Sequence, residues 1–197
     1  MFIRVKKVKK RSGKIYEYAH LVNGIWKRRK IVNVEGIRRF KQFNNSVHKY
    51  NKFLGRVYRF RDKKEGVGSE EFFRDFEDFV NKNNIDSIYR GFVGYELFCR
   101  GFRKIGDVYK KENIFVDLNR LIIHDGKNDV VIKLNDVGGY LCSLNLEELF
   151  RIKKIENKYE GVYLMKRLKA VGINLNSNQF YFIADKLLRE CPTNKNT

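Results

Sequence analysis

Phe2-Ile3-Arg4-Val5-Lys6-Lys7-Val8-Lys9-Lys10-Arg11-Ser12-Gly13-Lys14-Ile15-Tyr16-Glu17-Tyr18 opens the chain and decides how its first third is read. Phe2, Ile3 and Val5 begin a strand, Arg11-Ser12-Gly13-Lys14 reads as a turn, and Ile15, Tyr16, Tyr18, Leu21 and Val22 are the β-branched and aromatic residues of a second strand. Asn23-Gly24 is a tight-turn signal, because both residues tolerate positive φ. A third strand is expected over Ile25–Val34, completing a basic antiparallel meander. Beyond it, Ile37, Phe40, Phe43 and Val47 suggest a helical stretch from Gly36 to Tyr50, and Phe53–Tyr58 a further strand.

The charge is concentrated in the same region. Met1–Lys64 holds 21 Lys and Arg against Glu17, Glu35 and Asp62, a net of +18, whereas Glu65–Thr197 is nearly neutral at +1. Self-repulsion among so many cations opposes compaction, and a polyanionic partner relieves it by releasing counterions. Tyr16, Tyr18 and Trp26 are interleaved with the cations, and aromatic rings stack on bases. A two- or three-stranded ribbon also fits the DNA major groove. An anionic membrane fits less well, since the basic stretch is patterned as strands and has no amphipathic helix with a lipid face.

The remainder reads as a mixed domain. Arg59–Gly68 is polar and is the expected linker, giving a basic module over 1–64, an α+β domain over 69–191 and a loose tail over 192–197. Ser69 is placed to cap a helix carrying the Phe72, Phe73, Phe76, Phe79 and Val80 stripe, read as core or as a homodimer interface. Asp86 is placed to cap a second helix running to Arg100, in which Gly91 and Gly94 suggest the close approach of another backbone. Strands over Asn113–Ile123 and Asp129–Leu134 flank the loop His124-Asp125-Gly126-Lys127-Asn128. Three helices close the chain: Leu146–Lys153 behind an Asn145/Glu148 capping box, Gly161–Val171 ending at Gly172, and Asn178–Glu190 capped by Ser177. The fold class is therefore α+β, a basic β-meander module followed by a helix/β-hairpin domain with C-terminal helices. Three scattered cysteines, Cys99, Cys142 and Cys191, suit a reduced compartment, and with no apolar run of membrane-spanning length a cytoplasmic protein is expected.

Two resemblances sharpen these expectations. Met1-Phe2-Ile3-Arg4-Val5-Lys6-Lys7, Gly13-Lys14-Ile15-Tyr16-Glu17-Tyr18, Leu21-Val22 and Phe53-Leu54-Gly55-Arg56-Val57 together resemble the N-terminal segment of insertion-sequence DDE transposases, over about residues 1–58. That resemblance implies DNA binding and a mobile-element or viral setting. Glu65–Thr197 has no spaced Asp, Asp, Glu triad, so transposition itself is not implied. Residues 86–135 resemble restriction-endonuclease-like nucleases, including junction resolvases. In that family acids hold magnesium and a lysine helps activate water, roles that here would fall to Glu96, Asp117 and Lys133. The acid two residues before the lysine is replaced by Val131.

The expectation is a non-catalytic DNA-binding protein that takes duplex DNA and needs no cofactor. Arg4, Lys6, Lys7, Lys9, Lys10, Lys14, Lys27, Arg28, Arg29 and Lys30 are expected on the nucleic acid, Trp26 beside it, and Arg38, Arg39 and Lys41 extending the footprint. The alternatives are an Mg2+-dependent nuclease using Glu96, Asp117 and Lys133, and an RNA-binding protein.

Overall fold

The computed structural model describes residues 1–26, 31–34, 37–40, 46–60, 73, 75–134 and 139–189. The fold is α+β, and the chain divides into two compact units, Met1–Arg56 and Val57–Thr197.

In the first unit β1 (Phe2–Lys9) and β2 (Ile15–Trp26) form an antiparallel hairpin with Phe2 opposite Val22 and Lys9 opposite Ile15. Gly13 sits at φ +81° in its turn, where the Lys10 amide reaches the Lys14 carbonyl at 2.9 Å. A short hairpin follows, β3 (Ile31–Val34) against β4 (Ile37–Phe40). β5 (Ser46–Arg59) then returns antiparallel along the other side of β2, so that β2 lies between β1 and β5.

Three expectations are corrected here. Asn23-Gly24 makes no turn: both residues lie inside the ladder, opposite Lys49 and His48, and Gly24 is not at positive φ. The third strand therefore does not run unbroken from Ile25 to Val34, because Ile25 and Trp26 complete β2 and β3 begins at Ile31. The helix expected over Gly36–Tyr50 is replaced by β4 and the start of β5. Backbone pairing with the twelve-residue β2 satisfies the amides of β5 that a helix would otherwise have satisfied internally.

In the second unit α1 (Phe76–Lys82) is capped by Asp75, and α2 (Ile85–Cys99) by Asn84, whose side chain accepts the Ser87 amide at 2.9 Å; Asp86 lies in the first turn and is not the cap. Ser69 and Phe72 lie outside the described residues. Phe73, Phe76 and Phe79 converge on Phe92 of α2 at ring separations of 5.5, 5.7 and 6.3 Å, so these rings of the stripe are core. A four-stranded antiparallel meander follows: β6 (Arg103–Ile105), β7 (Val108–Lys111), β8 (Ile114–Asp117) and β9 (Ile122–His124). The strand expected over Asn113–Ile123 is thus two strands, turned about Leu121 at φ +57°.

β10 (Val130–Lys133) pairs with β11 (Tyr140–Leu141) and leads to α3 (Ser143–Phe150), α4 (Lys158–Ala170) and α5 (Ser177–Arg189). The expected capping box is absent. Asn145 lies within α3, and its amide donates to the carbonyls of Tyr140 and Ala170, tying α3 to the end of α4. Gly172 does stop α4, at φ +91°. Asn176, one residue before the expected Ser177, accepts the Gln179 amide at the start of α5. Ile88, Tyr89, Leu97, Ile114, Ile123, Ile132, Leu141, Leu146, Leu164 and Ile183 are fully buried in one core.

Candidate nucleic-acid interface

Strand register determines which side chains of the first unit share a surface. Along β1 and β2, alternate residues put Phe2, Arg4, Lys6, Val8, Tyr16, Tyr18, His20 and Val22 on one face. On β5 the spacing differs. Opposite Ala19 and His20 stand Gly55 and Phe53, leaving Leu54 as an extra residue; opposite Leu21 and Val22 stand Lys52 and Tyr50, leaving Asn51 extra. Each β-bulge adds one residue to the period of two. Tyr50, Phe53 and Arg56, three apart in sequence, consequently join the same face beside Val22, His20 and Tyr18. Gly55, at φ +118°, supplies the backbone conformation next to the first bulge.

Ring contacts agree with this register. His20 lies 5.3 Å from both Tyr50 and Phe53, Tyr18 lies 6.0 Å from Phe53, and Phe2 packs edge-on to His48 at 5.3 Å. The Arg56 guanidinium sits 4.3 Å from the centre of the Tyr16 ring. Arg4 Nη1 donates to His48 Nδ1 at 2.8 Å, which leaves the imidazole proton on Nε2. Among the described side chains of the three strands, the rings most open to solvent are Phe2 at 45 %, Tyr50 at 50 % and Phe53 at 57 % exposure. Glu17, the one acid in the three strands, points to the opposite face and lies 3.9 Å from Lys7. This aromatic face therefore carries cations and no anion.

The expected binding residues are distributed as follows. Arg4 and Lys6 are on the aromatic face, Lys7 and Lys9 on the other, and Lys10 and Lys14 at the β1–β2 turn. Trp26 ends β2 opposite Ser46, and Arg38 and Arg39 lie in β4 opposite Asn33 and Val32. Lys27, Arg28, Arg29, Lys30 and Lys41 lie outside the described residues. Phe2, His20, His48, Tyr50, Phe53 and Arg56 belong to the surface and were not among the expected residues. For β1 and β2 the signal was available in the alternation of Phe2/Arg4/Lys6 with Tyr16/Tyr18/His20. For β5 it was hidden by the bulges.

The nuclease candidates lie in the second unit, each with its own local partners. Glu96 and Arg100 are buried, at 5 % and 4 % exposure, and form an i, i+4 ion pair at 2.5 Å. Arg100 also donates to the Leu134 carbonyl, with Nε at 2.6 Å. Asp117 accepts the amides of Asn119 and Arg120, each at 2.9 Å, and so shapes the loop after β8. The Lys133 ammonium lies 5.8 Å from the Tyr140 ring centre, and Val131 is fully buried. No group of three or more His, Cys, Asp or Glu placed to hold a metal occurs among the described residues.

In the loop after β9, His124 Nδ1 accepts the Gly126 amide and Asp125 accepts those of Lys127 and Asn128. The Asn128 amide is the main reason that the Asp125 carboxyl is held below its ordinary value. Cys99 and Cys142 are buried; Cys191 lies outside the described residues. No helix among the described residues is long and apolar enough to cross a membrane.

No protein-family model, curated protein or solved structure matches this chain.

Proposed function

We propose that the protein binds nucleic acid through its N-terminal sheet. One observation carries the reading: Met1–Arg56 has 17 Lys and Arg against two acids, and the aromatic face of its β1-β2-β5 sheet presents Arg4, Lys6 and Arg56 with no carboxylate. The strongest general attraction such a surface exerts is on a phosphate polymer, through counterion release. The resemblance of residues 1–58 to the DNA-binding segment of insertion-sequence transposases points the same way. The second unit, with Glu96 committed to Arg100 and Asp117 to its own loop, is read as a non-catalytic partner domain.

The test is a salt titration of full-length protein on fluorescent DNA and RNA. Affinity is expected to fall linearly in log–log form, by about 0.7–0.9 in slope for each phosphate neutralised. Arg4→Gln, Lys6→Gln and Arg56→Gln combined should flatten that slope by about two. Absence of binding to either polymer at low ionic strength overturns the proposal.

A further inference from the structure

We infer that the aromatic face takes single-stranded nucleic acid, with unpaired bases stacked on Phe53, Tyr50 and Phe2. The inference rests on the nucleic-acid reading above and specifies the strand state, which charge alone leaves open. In a duplex the faces of the bases are covered by their neighbours, and a protein reaches only edges and phosphates. Phe2, Tyr50 and Phe53, the most exposed rings among the described side chains of this sheet, instead offer flat apolar surfaces, which bind base faces.

Their placement matches an extended strand. Phe2 and Tyr50 flank Val22 in one cross-strand row, two interstrand spacings or roughly 10 Å apart. Phe53 stands one row further along β5, buttressed by His20 and Tyr18. Arg4 and Lys6 run along the neighbouring strand, and Arg56 lies over Tyr16 at the far end, so cations border the rings where a backbone would pass. The bulges at Asn51 and Leu54 are what bring Tyr50, Phe53 and Arg56 into this alignment. An anionic lipid surface is the weaker match. Arg4, Lys6, His20 and Arg56 share the face with the rings, so it is not a continuous apolar face.

The experiment compares full-length protein, by fluorescence anisotropy at one fixed salt concentration, on four probes. These are an oligothymidine strand, an oligouridine strand, a duplex DNA of the same length, and vesicles of mixed neutral and anionic phospholipid. Either single strand is expected to bind more tightly than the duplex, and the better of the two identifies the natural polymer as DNA or RNA. Phe53→Ala and Tyr50→Ala should each weaken single-strand binding by about 5- to 150-fold, while duplex affinity and the salt slope stay unchanged. Phe53→Leu, which keeps apolar bulk and loses the flat ring, should lose nearly as much, and Phe53→Trp should retain binding. Circular dichroism and thermal melting of each variant report folding separately. Duplex binding equal to or tighter than both single strands, or ring variants that bind like the parent, overturns the inference and leaves the nucleic-acid reading standing. Vesicle binding that is tighter than strand binding and lost with the rings overturns it in favour of a membrane. Failure of every nucleic-acid probe at low salt removes both readings.

Discussion

Glu96 lies in the last turn of α2 and Arg100 caps its end, and their ion pair is among the most buried polar features of the second unit. Arg100 also holds the carbonyl of Leu134, so one guanidinium joins the end of α2 to the residue after β10. Removing one member leaves the other charged and desolvated. Glu96→Ala or Arg100→Ala should cost about 3–5 kcal/mol in urea unfolding. The double change Glu96→Leu with Arg100→Met should recover much of that loss, less the penalty of leaving the Leu134 carbonyl unpaired. Were Glu96 instead a metal ligand, magnesium would raise the melting temperature of the parent and not of Glu96→Ala. Next to Glu96 in sequence, Tyr95 is affected by burial and by the Cys99 side chain one turn on, which push its hydroxyl up to about 12. The native state therefore retains this proton where the unfolded chain, near 10, has begun to lose it. The resulting stability is complete below pH 10 and disappears as pH rises towards 12. Tyrosinate absorbance should show a late-ionising phenol that is missing in Tyr95→Phe.

At the scale of elements, α2 meets its neighbours through its glycines. A Cβ added at Gly94 would stand 2.3 Å from the Tyr109 hydroxyl oxygen of β7, and one added at Gly91 would stand 2.6 Å from the Phe79 ring of α1. The close approach expected at these positions is thus made by side chains and not by another backbone. Gly94→Ala should destabilise the protein by about 1–3 kcal/mol through overpacking, despite the higher helix propensity of alanine. Adding Tyr109→Phe removes the nearest atom, so the double variant should be more stable than Gly94→Ala alone, measured by thermal unfolding. The bulged strand β5 is the other informative element. Tyr50, Phe53 and Arg56 recur every three residues, a spacing that on sequence alone suits a helix about as well as a strand. Only the register against β2 shows that two extra residues convert this spacing into one face of a sheet.

For the whole molecule, charge and organisation coincide. The division at Arg56/Val57 assigns a net charge of +15 to the first unit and +4 to the second. Repulsion of this size within 56 residues is relieved by added salt. Trp26, the only tryptophan in the sequence, belongs to the first unit and provides a fluorescent probe there. Raising sodium chloride from low to moderate concentration is expected to raise the unfolding temperature followed at Trp26 while nucleic-acid affinity falls. A sheet stabilised by salt and a ligand weakened by it are two consequences of the same uncompensated charge. An unfolding temperature at Trp26 that is insensitive to salt would indicate that the cations are already neutralised within the fold.

The sequence by itself determined the α+β class, the basic N-terminal hairpin with its turn at Gly13, the apolar stripe of Phe73, Phe76 and Phe79, and the stop at Gly172. All of these follow from interactions between residues close in sequence or from strong apolar periodicity. It also determined the kind of partner to test, because net charge is a sum and does not depend on the fold. Only the tertiary structure decided that Asn23-Gly24 extends a strand, that Ser46–Tyr50 is strand and not helix, and that Glu96 is held by Arg100. The same holds for the aromatic face. Its members come from three strands whose register is fixed by pairing partners as distant in sequence as Tyr18 and Arg56, and one added residue in a strand moves every later side chain to the opposite face.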